Sequence, residues 1–155
     1  MDLSRFTNKA QQALVQAQSL ATEFNHTALD PVHILIALLS QEDGVVPAVI
    51  AKIGAQPAAV LRDAEMAMNK LPQVSGSNMQ INLSRASVDL LGRAEKQAKR
   101  MKDDYTSTEH MLLAIVEKSP VAAMMKQHGI DEDAVLQALA SIRGGQRVSS
   151  QDPEG

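Results

Sequence analysis

Four histidines and a scatter of carboxylates and hydroxyls are the residues on which any chemistry would have to rest. The histidines are His26, His33, His110 and His128. A zinc site needs closely spaced ligands, such as two histidines on one helix face, and these four are too far apart for that. Spacing offers no Ser–His–Asp or Cys–His arrangement either. The chain has no cysteine, so disulfides and thiolate metal ligands are excluded. ATP hydrolysis needs a glycine-rich phosphate loop ending in Lys-Ser or Lys-Thr. Here Gly144-Gly145 runs into Gln146-Arg147, with no strand before it. The expectation is a chain that is not an enzyme and holds no metal or cofactor of its own. His33 and His110 fall at the third position of their helices, where capping or packing is the ordinary role.

The elements that would position these residues are helices. The chain has 155 residues, of which 45% are hydrophobic and only 2% aromatic. The core must therefore come from Ala, Leu, Ile, Val and Met, a composition that favours helix. Thr7 is a good N-cap, and Ala10, Ala13, Leu14, Ala17, Ala21 and Phe24 follow at helical spacing, which predicts a helix over 8–24. Asp30-Pro31 starts a second helix, whose run Ile34-Leu35-Ile36-Ala37-Leu38-Leu39 has no polar face and must be central. A third helix ends at Gly54 and a fourth opens at Pro57. The segment around Leu71-Pro72-Gln73-Val74-Ser75-Gly76 reads as a linker. Further helices follow from Ser84, Ser107, Pro120 and Asp131, and Gly144-Gly145 stops the last. The eight methionines mostly sit at core spacings, with Met79 and Met101 as the exposed exceptions.

The second set of helices copies the first. A shift of 77 residues places Thr7 on Ser84, Leu14 on Leu91, Ala21 on Ala98, Asp30 on Ser107 and His33 on His110. The apolar run of the second helix falls on Met111-Leu112-Leu113-Ala114-Ile115-Val116. After a shortened loop the shift becomes 75, and Gly54 then matches Gly129. Caps, stops and apolar positions coincide, so a unit has been duplicated. The fold class is all-α: two four-helix repeats about a pseudo-twofold axis, with about eight helices. The repeats span 1–70 and 84–145, joined by a linker over 71–83. Residues 146–155 read as a flexible polar tail. The net charge of -3 gives no field for nucleic acid. The apolar run is too short to span a membrane, and Met1-Asp2-Leu3-Ser4-Arg5 lacks a signal-peptide core. A soluble cytoplasmic protein is expected.

The pattern Thr7-Asn8-Lys9-Ala10, Ala17-Gln18 and His33-Ile34-Leu35, with Ser107-Thr108-Glu109-His110-Met111-Leu112 in the second copy, resembles the Clp N-terminal repeat. The linker Leu71-Pro72-Gln73-Val74-Ser75-Gly76 and the ending Ile142-Arg143-Gly144-Gly145 resemble the ClpB/Hsp100 disaggregase branch. This resemblance implies a domain that engages unfolded or aggregated polypeptide before threading, ahead of an AAA+ module lying beyond the tail. It implies a homohexameric full-length protein that uses ATP and magnesium and works with the DnaK chaperone system, while the isolated domain is a monomer. The N-domains of degradative Clp unfoldases, which dock adaptors, are the alternative. In the ClpB branch, positions matching Thr7, Asp103 and Glu109 are linked to chaperone function, with Asp103 in the turn before Tyr105. The groove associated with these domains maps onto Leu90, Leu91, Arg93, Gln97 and His110. Arg93, Gln97 and His110 depart from the apolar lining that such a groove would carry. The related ClpC pattern has an acidic residue before each repeat histidine; here Glu109 precedes His110, but Val32 precedes His33.

Overall fold

The computed structural model describes residues 2–74 and 80–153. Among them are eight helices in two sets of four. The first set is α1 (Asn8–Glu23), α2 (Pro31–Ser40), α3 (Val45–Ile53) and α4 (Pro57–Met68). The second is α5 (Arg85–Arg100), α6 (Thr108–Glu117), α7 (Ala122–Gln127) and α8 (Glu132–Arg143). The helix starts follow the caps. The Thr7 side chain accepts the Ala10 N–H, that of Ser84 accepts the Ser87 N–H, and that of Asp131 accepts the Ala134 N–H. Gly54 ends α3 at φ 104°, a left-handed conformation that costs glycine no Cβ clash.

Helices α2 and α6 form the centre. Every residue from Pro31 to Leu39 and from Thr108 to Val116 is buried. α1 and α4 pack on α2, α5 packs on α6, and α3 crosses between repeats to reach α6 and α8. The two sets therefore share one core. No single helix among the described residues is long and apolar enough to cross a membrane.

Helices α1 and α5 leave through matching turns. Asn25 (φ 57°) follows α1 and Lys102 (φ 61°) follows α5, both left-handed. The next amides reach back in the same way: His26 N–H donates to Ala21 O, and Asp103 N–H to Ala98 O, each at 2.9 Å. These are Schellman-type ends. They deliver the side chains of His26 and Asp103 to equivalent places.

Four features differ from the sequence reading. The linker contributes β2 (Asn82–Leu83), which pairs in parallel with β1 (Ala28–Leu29). Next to it, Ser84 N–H and the Ser87 hydroxyl both donate to Leu29 O, tying the start of α5 to the first repeat. The tail is not loose as far as Gln151. Val148 is buried, Asp104 N–H donates to Val148 O, and Asn8 N–H donates to Gln151 O. One buried side chain and a few backbone bonds suffice to hold a polar segment that composition alone reads as free. Met66, at an apparent core spacing, is 61% exposed, while Met101 is half-buried against the core. Met79 lies outside the described residues.

Removing residues 146–155 should lower the stability to urea unfolding by about 1–3 kcal/mol, the scale of one buried valine and its accompanying hydrogen bonds.

Candidate functional site

The candidate residues divide into a buried polar cluster and an outer groove. The cluster forms where α6 begins. Ser107 N–H donates to His110 Nδ1 at 2.8 Å, so the third residue of the helix caps its start. The opposite ring nitrogen faces Asp103 Oδ2 at 2.7 Å. Because Nδ1 accepts the backbone proton, neutral His110 carries its own proton on Nε2 and donates it to the carboxylate. The other oxygen, Asp103 Oδ1, accepts from Arg143 Nη2 at 2.6 Å and from Val148 N–H at 2.9 Å. Glu109 Oε1 accepts from the Ser107 hydroxyl at 3.0 Å, and its Oε2 lies 3.8 Å from Arg143 Nε. Thr7 joins from the other repeat: its N–H donates to Thr106 O, one residue before Ser107.

Burial pushes the Asp103 carboxyl upward, but the bonds from Arg143, Val148 and His110 outweigh it and hold the group below the usual carboxylate range. Burial lowers His110, against the pull of Asp103. The cluster is therefore a carboxylate and a guanidinium with a neutral imidazole between carboxylate and helix end.

Ser107, His110 and Asp103 lie in the order of a nucleophile, base and orienting acid, which spacing did not reveal. Ser107 Oγ is 3.0 Å from His110 Nδ1. Two facts disqualify it as a nucleophile. Ser107 and His110 are wholly buried, and the hydroxyl proton goes to Glu109 while a backbone amide holds the imidazole. No substrate atom could approach.

The structure also corrects several expected contact residues. Leu90 and Leu91 are fully buried core. Gln97 is 2% exposed, because its amide turns inward to donate to Glu132 on α8 at 2.9 Å. Thr7, Asp103, Glu109 and His110 are buried, held by the cap and cluster bonds just described. Arg93 stays partly open, but its guanidinium reaches over to donate to Ala114 O and Lys118 O and so seals the C-terminal end of α6. Tyr105 lies under the Arg5 guanidinium, 4.7 Å from its ring centre.

The outer face of α5 does offer a groove. A cavity of about 620 Å³ lies between α5 and the turn after α6, lined by Ala86, Val88, Gly92 and Pro120 and by the polar or charged Asp89, Arg93, Lys96, Lys118 and Ser119. Val88 is 46% exposed, and a Cβ at Gly92 would meet nothing within 4 Å. The sequence reading reached this groove only through Arg93. It missed Arg143 and Val148, whose partners are distant in the chain. It also missed His26, although the 77-residue shift sets His26 on Asp103.

The family model of the Clp repeat N-terminal domain matches residues 5–128. The chain belongs to the Clp repeat N-terminal domain family. Within it, the chain is 40% identical over 158 residues to the chaperone protein ClpB of Bacillus cereus, and 37% identical over 155 residues to that of Mycobacterium leprae. Each alignment covers 99% of the chain and 18% of the relative, so the chain spans about a fifth of the length of these relatives. The matched part is the Clp repeat domain and not an ATPase module. The Hsp104 N-terminal domain from Candida albicans has the same fold, with a TM-score of 0.87 at 23% identity over 98% of this chain and all of that one. The N-domain of ClpV from Vibrio cholerae matches with a TM-score of 0.76 at 18% identity, over 99% of this chain and 90% of that one. The chain is thus similar over nearly its whole length to one part of ClpB chaperones, and it has the fold of the Hsp104 N-terminal domain.

Asp103→Asn leaves the Arg143 charge without its closest partner and should cost about 3 kcal/mol in urea unfolding. Asp103 is lowered in the folded state, so its contribution is whole above about pH 4 and is lost as pH falls below that. The gap between wild type and variant should close over the same acidic range.

Proposed function

We propose that this domain engages unfolded or aggregated polypeptide on behalf of an ATP-dependent disaggregase, before the client is threaded. The observation that supports this is the open groove along α5. It is large enough for several side chains, its lining combines Ala86, Val88 and Pro120 with charged residues, and it lies outside the bonded polar cluster. A concave surface that sets apolar side chains among charged ones suits short apolar stretches of a client with polar neighbours. The buried cluster serves the groove indirectly, by fixing α6, against which α5 rests, and α8, to which Gln97 of α5 bonds.

In this reading, ATP and magnesium are bound by parts of the protein outside this chain. The whole protein is a cytoplasmic homohexamer acting with the DnaK system, and the domain itself is monomeric and binds no nucleic acid. The matches to Thr7, Asp103 and Glu109 are consistent with chaperone function acting through the rigidity of the cluster, not through direct contact.

Titration of the domain with a labelled, permanently unfolded protein should shift amides along α5 near Val88 and Gly92. Val88→Asp should weaken binding about tenfold, the scale of losing one buried apolar side chain, with little change in unfolding midpoint. Absence of any localised shift at millimolar client, together with stoichiometric capture of one folded protein, would replace this reading by adaptor docking.

A further inference from the structure

The two repeats begin their buried helices with the same polar device but complete it differently. Asp30 N–H donates to His33 Nδ1 at 2.9 Å, just as Ser107 N–H donates to His110. In the second repeat the far side of the imidazole meets Asp103. In the first, His26 takes that place, and its Nδ1 lies 2.8 Å from His33 Nε2. The backbone proton of Asp30 fixes the tautomers. Neutral His33 carries its proton on Nε2 and donates it to His26 Nδ1, so His26 carries its own on Nε2. That last proton meets no acceptor among the described residues.

Both rings are buried, and His26 stacks against Phe24. The same corner holds the linker: His26 bridges Gln73, and Asn25 O accepts the Val74 N–H. An added proton on either ring puts a donor against a donor. On His33 it faces Asp30 N–H and removes the cap of α2. On His26 it faces His33 Nε2–H. Asp30 supplies a charge that acts on both rings. In the second repeat, by contrast, the Asp103 carboxylate faces His110, and the Ser107 hydroxyl stands beside its Nδ1.

We propose that the His26–His33 pair is an acid-sensitive clasp, whose protonation releases the α1–α2 corner and the linker at Gln73–Val74 ahead of the second repeat.

The direction follows from burial. His33 is pushed down to about 4, by burial first and by His26 second, against the pull of Asp30. Burial also lowers His26, again against Asp30. Groups held neutral in the folded state take up protons only on opening. Their contribution is whole above the ordinary imidazole value of about 6.5 and is lost as pH falls below it, for His33 down towards about 4. Each such proton favours opening by about tenfold per pH unit.

The repeat supplies its own control, because the His26 and Asp103 amides make matching bonds. Native-state hydrogen exchange, corrected for intrinsic rates, should be followed on the whole chain between about pH 7 and about pH 4.5. The His26 and Val74 amides should lose about a hundredfold in protection relative to Asp103. His26→Asp, which copies the second repeat, should abolish that difference. If it fails to fold, His26→Asn, which accepts the His33 proton without titrating, leaves one buried imidazole in each repeat and should abolish the difference as well. Parallel loss at the His26 and Asp103 amides in wild type would overturn the proposal. So would a difference that persists unchanged in the folded variant.

Discussion

Two helices without a polar face cannot end in an apolar core unless something closes their ends. α2 and α6 are such helices, and much of the remaining structure serves this requirement. The first backbone N–H groups of a helix have no partner within it, and each one buried unmet costs about 1–3 kcal/mol. A serine or aspartate at the cap ordinarily answers this by itself. Here an imidazole at the third position accepts the cap residue's own N–H, and its far nitrogen must then be answered in turn. The other ends are closed by side chains as well. Arg93 reaches the last carbonyls of α6, and Ser40 donates to Ile36 O at the end of α2.

The answer to the far nitrogen is what organises the surroundings. In the second repeat it is Asp103, and an aspartate buried there needs Arg143 from α8 and an amide from the tail. The end of α5, the start of α6, the end of α8 and the chain beyond are thereby drawn to one point. Residues linked to function by family resemblance therefore fall inside the domain. A variant at Asp103 or Glu109 would act first on order and only then on contact. The outer side of α5, where Val88 and Gly92 face open space, is the surface we propose for a partner.

Much of this was legible in the residues. Thr7, Ser84 and Asp131 marked helix starts because a cap is a local signal, and Gly54 marked an end for the same reason. The unbroken apolar runs at 34–39 and 111–116 announced buried helices, and the constant shift announced the duplication. What stayed hidden depended on distance or brevity. β1 and β2 have two residues each, too few for any periodicity. Arg143 and Asp103 are forty positions apart, and no pattern joins them. Leu90 and Gln97 looked accessible on α5, yet their accessibility is decided by where α6 and α8 lie. The left-handed Asn25 and Lys102 were missed because neither is glycine. The tail looked free because a single valine carries its docking.

The closure of both central helices depends most directly on which nitrogen of His33 and His110 bears the proton. Long-range proton–nitrogen NMR of the imidazole rings at neutral pH reads this without any substitution. Both rings should be neutral, with Nδ1 bare and accepting a backbone bond and Nε2 protonated. A proton on Nδ1 of either ring, or a charged imidazolium at either position at neutral pH, would contradict it.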